Sequence, residues 1–202
     1  MYRLYDFLPS GNSYKIRLLL NLLDIAYERI DTNILNKETR TSEFLDKNPN
    51  GKIPLLEIAE DKFLAESNAI LYYLSQGTEY FPNDKYVQAQ VMQWLFFEQY
   101  SHEPYIAVPR FWITELKQAD KYQQQIEQKR EPGYKALDVM EQHLSSHDFF
   151  VGETYTIADI GLYAYTHVAE EGGFELNQYS AILAWFKRIE AHPKHILITD
   201  RR

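Results

Sequence analysis

Glu66 and Ser67 stand where a strand-like stretch, Lys62 to Ala65, gives way to the helical stripe of Ile70, Tyr73 and Leu74. The first N–H groups of a helix have no partner inside it, and its dipole favours an anion. The pair therefore reads as a seat for a carboxylate ligand or, more plainly, as helix-cap residues. The chain has no cysteine, which removes disulfides, thiolate metal sites, iron–sulfur ligation and any protein-thiol nucleophile. Sulfur chemistry here would have to borrow its sulfur. His102, His143, His147, His167, His192 and His195 are scattered and none forms the His-Glu-x-x-His pair of a zinc helix, so no metal site is expected. Thr156-Ile157-Ala158-Asp159 matches a capping box, which makes Asp159 a folding cap rather than a catalytic acid.

The elements that must position these residues fall in two kinds. Residues 2–8 alternate as a strand and stop at Pro9-Ser10-Gly11-Asn12; Ile16, Leu19, Leu20 and Leu23 then recur with helical spacing, with Asn12 or Ser13 available as the cap. Tyr27 to Asp31 suits a short strand, and Thr41 to Lys47 a short helix ending at the turn formers Asn48-Pro49-Asn50-Gly51. Pro54 cannot donate a ladder hydrogen bond, so the strand near Leu55 must begin beside it or have an edge there. A hairpin across Glu60-Asp61 leads to Lys62 to Ala65, and the helix after Ser67 closes near Gly77. Beyond Phe81-Pro82-Asn83-Asp84 only helical periodicity remains: one long helix from Val87, interrupted around Pro104 and Pro109, another at Ala136 to Leu144, and a last at Ile182 to Ile189. This predicts an α/β domain over 1–80, a linker at 81–85 and an all-helical domain over 86–202.

Charge and hydropathy narrow the function classes. Lys and Arg total 21 against 29 Asp and Glu, a formal net charge of -8, which repels polyanions and argues against nucleic acid as a general partner. No apolar run approaches the roughly 20 residues needed to span a bilayer, and the first residues lack the apolar core of a signal peptide. A soluble, cytoplasmic protein with no membrane partner is the expectation.

Three patterns, Asn48-Pro-Asn-Gly-Lys-Ile-Pro-Leu-Leu56, Ala65-Glu-Ser-Asn-Ala-Ile-Leu-Tyr-Tyr73, and Gly152 through Ala158-Asp159, occur in an order and spacing that resemble the cytosolic glutathione transferases over the whole chain. The resemblance implies a thioredoxin-like α/β domain followed by a helical-bundle domain, with glutathione as co-substrate and no metal. It also implies that Pro54 is cis and that Ile53 offers its backbone N–H and C=O to the cysteinyl backbone of glutathione. A cis bond makes a tight turn that exposes backbone polar groups. By the same resemblance Ser67 takes the γ-glutamyl carboxylate, Glu66 the ammonium group, and Lys52 the glycyl carboxylate, while Lys37 reads as a solvated lysine.

What activates the thiol is left to three groups. A free thiol has a pKa of about 8.5, and each unit of lowering needs roughly 1.4 kcal/mol of preference for the anion, which a hydroxyl donor near a helix N-terminus can supply. Counting back from Arg17, as in theta- and delta-class enzymes, selects Ser13. Counting forward selects Ser10, and Ser10-Gly11-Asn12 is similar to the Thr-x-Asn of the bacterial Nu-class. Ser10 with Asn12 as second donor is preferred. Tyr5 lies a residue out of register with the tyrosine of other classes and reads as packing. The resemblance further implies a homodimer, and an electrophile site between the domains to which Tyr100, Arg110 and Phe111 are assigned. Two other readings accompany the transferase: a glutathione-dependent disulfide reductase, and a non-catalytic scaffold or interaction protein on the same fold.

Overall fold

A computed structural model describes residues 1–201, which form two compact units, one of residues 1–76 with 194–201 and one of residues 77–193. The first unit runs β1 (Tyr2–Asp6), α1 (Gly11–Leu22), β2 (Tyr27–Asp31), α2 (Ser42–Lys47), β3 (Leu55–Ala59), β4 (Lys62–Ala65) and α3 (Ser67–Ser75). Its four-stranded sheet has the order β2-β1-β3-β4, with β1 and β2 parallel and the other pairs antiparallel. Period-two burial divides the sheet. Tyr5 and Leu55 pack with Phe44 of α2, while their neighbours Leu4 and Leu56 are fully buried on the opposite face. The hairpin turns at Asp61, whose φ of 55° is the left-handed conformation such a tight turn uses.

Helix α1 begins differently from the expectation. Its cap is Ser10, whose Oγ accepts from the Ser13 N–H at 3.3 Å, rather than Asn12 or Ser13, which already lie inside the helix. Residues 13–20 of α1 are all buried, Lys15 and Arg17 included. Arg17 donates from Nη2 to the Leu8 carbonyl (2.7 Å) and from Nη1 to the carbonyls of Ile198 (3.0 Å) and Asp200 (2.9 Å), while its Nε lies 3.4 Å from the buried Asp6 carboxylate. Tyr14 Oη donates to Ile196 O and Asn21 to Lys194 O. These bonds assign the last residues to the first unit instead of to the helical one, because a buried guanidinium needs partners that the sheet alone does not provide.

The second unit is helical: α4 (Lys85–Phe97), α5 (Glu103–Arg110), α6 (Gln123–Leu144), α7 (Ile157–Thr166) and α8 (Ser180–Glu190). Tyr80, the last residue of the expected first domain, and Phe81, in the expected linker, are buried within this unit, and Asp84 caps α4 by accepting from the Tyr86 and Val87 N–H groups. The prolines do not break the long helix as expected. Helical winding continues from Lys85 to Glu115 through two π-helical turns, Glu98–His102 and Phe111–Glu115. Pro104 follows the first of these; a widened turn relieves the clash of its ring with the carbonyl one turn back. Helix α6 likewise runs as 22 residues through Pro132.

All ten residues of α7 are buried, as an apolar-all-round helix must be, and the expected capping box forms at its start. The Asp159 carboxylate accepts from four donors: Phe150 N–H (3.1 Å), Thr156 N–H (2.9 Å), Thr156 Oγ1 (3.2 Å) and Trp185 Nε1 (3.0 Å). Burial nevertheless pushes its pKa up to about 6 against their pull. Between about pH 4 and pH 6 the folded protein thus binds a proton at Asp159 that the unfolded chain has lost. This group's contribution to stability accordingly declines as pH rises through that window and is level above it. Asp159→Ala strands three buried N–H donors; we expect a loss of about 3 kcal/mol, a thermal midpoint lower by roughly 10 °C, and a smaller decline between pH 4 and 6. Urea and thermal unfolding across that range measure all three, and curves superimposable on the parent's would contradict the assignment.

Candidate active site

Strand register brings the candidate residues to one end of the first sheet. Leu55 pairs with Ala65 across the β3–β4 hairpin and with Tyr5 of β1. Pro54 just before β3, Glu66 just after β4 and the loop that follows β1 must therefore emerge at the same edge.

The Ile53–Pro54 peptide is cis, as the resemblance implied. The turn ahead of it is braced by Asn48, a buried residue whose Nδ2 donates to Lys52 O (2.8 Å) and whose Oδ1 accepts from Asn50 N–H (3.1 Å). Gly51 has φ +61°, and a Cβ there would come within 2.9 Å of the Thr39 carbonyl oxygen, so the turn requires glycine. Lys52 is exposed beside it, and Lys37 is an exposed residue in the left-handed conformation at the end of a 3₁₀ turn.

Glu66 precedes α3 with φ 69° and ψ 114°, and its side chain does not cap that helix, whereas Ser10, Thr41, Asp84 and Thr156 cap others. The Glu66 carboxylate is exposed and accepts from Asn50 Nδ2 at 3.4 Å. Ser67, the first residue of α3, is buried; its hydroxyl donates to Asn12 Oδ1 (3.1 Å) and accepts from Lys15 Nζ (3.3 Å). Asn68 Oδ1 also accepts from Lys15, at 3.4 Å.

The three thiol candidates differ in access. Ser10 and Asn12 are half-buried, and Ser10, while accepting from the Ser13 N–H, keeps its own proton to give. Ser13 is fully buried. Burial pushes the Asp6 carboxyl above the ordinary carboxylate value, against the pull of Arg17 and Arg29. Tyr5 is packing, with its Oη on Glu57 Oε2 (3.0 Å) and its ring edge-on to Phe44.

In the second unit Tyr100 is 82% exposed and Phe111 half-buried, whereas Arg110 is built into the unit with Nε 2.7 Å from Glu171 Oε2. Arg110 is thus a tie between α5 and the turn near Gly172, a structural use that the sequence reading did not anticipate. Lys15 was also missed. No signal in the sequence points to it: the apolar stripe of Ile16, Leu19 and Leu20 implies a polar face on α1, whereas every residue from Ser13 to Leu20 is buried. Among the described residues no cluster of His, Asp or Glu could hold a metal, and no helix is long and apolar enough to cross a membrane.

The family model described as Glutathione S-transferase, N-terminal domain, matches residues 1–76, and Glutathione S-transferase, C-terminal domain, matches 87–193. The chain belongs to the glutathione S-transferase family. A glutathione S-transferase from Pseudomonas fluorescens is 51% identical with a TM-score of 0.96, over 98% of this chain and 99% of that one. A possible glutathione S-transferase from Rhodopseudomonas palustris is 46% identical with a TM-score of 0.97, over 100% and 99%. The disulfide-bond oxidoreductase YfcG of Escherichia coli is 28% identical over 194 residues, 93% of this chain and 89% of that protein. Ser10 caps the helix that follows β1. Ser10→Ala should cost about 1 kcal/mol of stability through the lost cap, and Ser10→Asp, which still caps, much less; denaturant midpoints compare the two, and equal losses would argue that Ser10 is no cap.

Proposed function

We propose that the protein is a glutathione transferase that holds the glutathione thiolate for attack on a small electrophile. The observation that carries this reading is the start of α3: a helix N-terminus that opens on the buried Ser67, is left uncapped by the side chain of Glu66, and lies beside the cis Ile53–Pro54 turn. The first N–H groups of α3, beginning with Ser67, meet the γ-glutamyl carboxylate, and the exposed Glu66 carboxylate meets the ammonium group. Ile53 pairs with the cysteinyl backbone, and Lys52 with the glycyl carboxylate. Ser10 donates its hydroxyl proton to the sulfur, with Asn12 as second donor; the full burial of Ser13 speaks for Ser10 over it. The thiolate attacks the electrophilic carbon and the leaving group departs with its electron pair. Catalysis then comes from anion stabilisation and positioning. Family habit favours a cytoplasmic homodimer, with the electrophile against the segment around Tyr100 and Phe111.

A second reading is glutathione-dependent disulfide reduction, favoured by the similarity to YfcG and the Ser10-Gly11-Asn12 pattern. There the same thiolate attacks the glutathionyl sulfur of a glutathione mixed disulfide, breaking its S–S bond, releasing a thiol and leaving oxidised glutathione, so no protein cysteine is needed. The discriminating assay is turnover of a chloro-arene against turnover of a small mixed disulfide.

The test of the site is an ultraviolet pH titration of bound glutathione. In the parent the thiol pKa should fall about a unit or more below the free value of about 8.5. Ser10→Ala should return it most of the way and Ser13→Ala should leave it unmoved. Loss of the shift in Ser13→Ala alone would reverse the assignment, and no glutathione binding by the parent would leave the scaffold reading.

A further inference from the structure

We infer that Lys15 is a positioning residue for the thiolate site, acting through the Ser67 hydroxyl to set which end of the Asn12 amide is presented; this rests on the glutathione reading above. Lys15 is fully buried in α1, and its Nζ lies 3.3 Å from Ser67 Oγ and 3.4 Å from Asn68 Oδ1. An ammonium group has protons to give and no lone pair to offer. Ser67 Oγ must therefore accept from Lys15, and its single proton goes to its other neighbour, Asn12 Oδ1, at 3.1 Å.

The direction of that bond decides the chemistry of Asn12. A primary amide fits a site equally well in two orientations related by a flip, and only its hydrogen bonds choose between them. With Oδ1 held by the Ser67 proton, the Nδ2 amino group is the end turned away from Ser67. A donor stabilises a thiolate, whereas a carbonyl oxygen in its place repels one. Replace Lys15 by an apolar residue and the Ser67 hydroxyl is able to rotate and accept from Nδ2, which turns the carbonyl outward. The one-way order is Lys15 to Ser67 to Asn12.

The same order changes the role of Ser67. Its hydroxyl proton is engaged by Asn12, so the γ-glutamyl carboxylate is met by the N–H groups of α3, and the hydroxyl serves the thiol. Removing the hydroxyl should therefore alter thiol ionisation, an effect that a hydroxyl bound only to the carboxylate would not produce.

The experiment is the titration of bound glutathione for the parent, Lys15→Met and Ser67→Ala, each also made in an Asn12→Ala background. Lys15→Met and Ser67→Ala should each leave about three- to tenfold less thiolate at a given pH, the size expected for one hydrogen bond. Neither should change the thiolate fraction further once Asn12 is alanine, because residues acting as one unit are not additive. Ser67→Ala removes a single hydroxyl and carries the same test if Lys15→Met does not fold. An unmoved thiol pKa in Ser67→Ala overturns the inference. So does a Lys15→Met effect that persists at full size in Asn12→Ala, which would mark a direct effect of the lysine charge. A parent that binds no glutathione, or binds it with the free thiol pKa, overturns the transferase reading itself; a parent with a lowered pKa and unmoved variants overturns only the role of Lys15.

Discussion

The leading N–H groups of α3 have no acceptor within their own helix, and Glu66, the residue at the cap position, turns its carboxylate outward to Asn50 rather than back over the helix end. A helix end in this state draws in acceptors from whatever is placed before it. The first unit is arranged around that demand. The pairing of Leu55 with both Ala65 and Tyr5 sets the cis turn, the start of α3 and the loop after β1 at one sheet edge. A slip of one residue in either pairing would turn Leu55 from the Phe44 side to the opposite face, so packing of the core and assembly of the site are the same constraint.

A second requirement follows from burying charge in α1. Lys15 and Arg17 are both inside, and each must find hydrogen-bond partners there. Arg17 finds them in Asp6, Leu8 and the carbonyls of the C-terminal segment, which fastens that segment to the thioredoxin-like unit. Lys15 finds them in the first turn of α3. The two cations thus join α1 to opposite parts of its surroundings, one for the fold and one for the site.

Much of this was legible from local chemistry. The switch of period at Ser67, the turn formers from Asn48 to Gly51 and the box from Thr156 to Asp159 each carry a physical signature confined to a few residues, and each forms as read. What escaped depends on tertiary context. Whether Ser10, Asn12 or Ser13 caps α1 depends on where β1 lets go of the chain. Pro104 and Pro109 signal a disturbance, but the helical winding continues past both, and no local rule distinguishes that from a break. The attachment of residues 194–201 to α1 rests on bonds spanning more than 170 positions, invisible to periodicity. Arg110, as an isolated cation on a helix, read the same whether it faced a ligand or Glu171.

The central claim is that the start of α3 is an anion seat for the γ-glutamyl carboxylate. Calorimetric titration of the protein with glutathione and with its γ-glutamyl α-carboxamide analogue tests it most directly, since the two ligands differ only in the charge presented to that helix. The account predicts that glutathione binds and that the carboxamide binds at least about tenfold more weakly, the loss expected when a charged hydrogen-bonded group is neutralised. Equal affinities for the two ligands, or heat from neither, would contradict it.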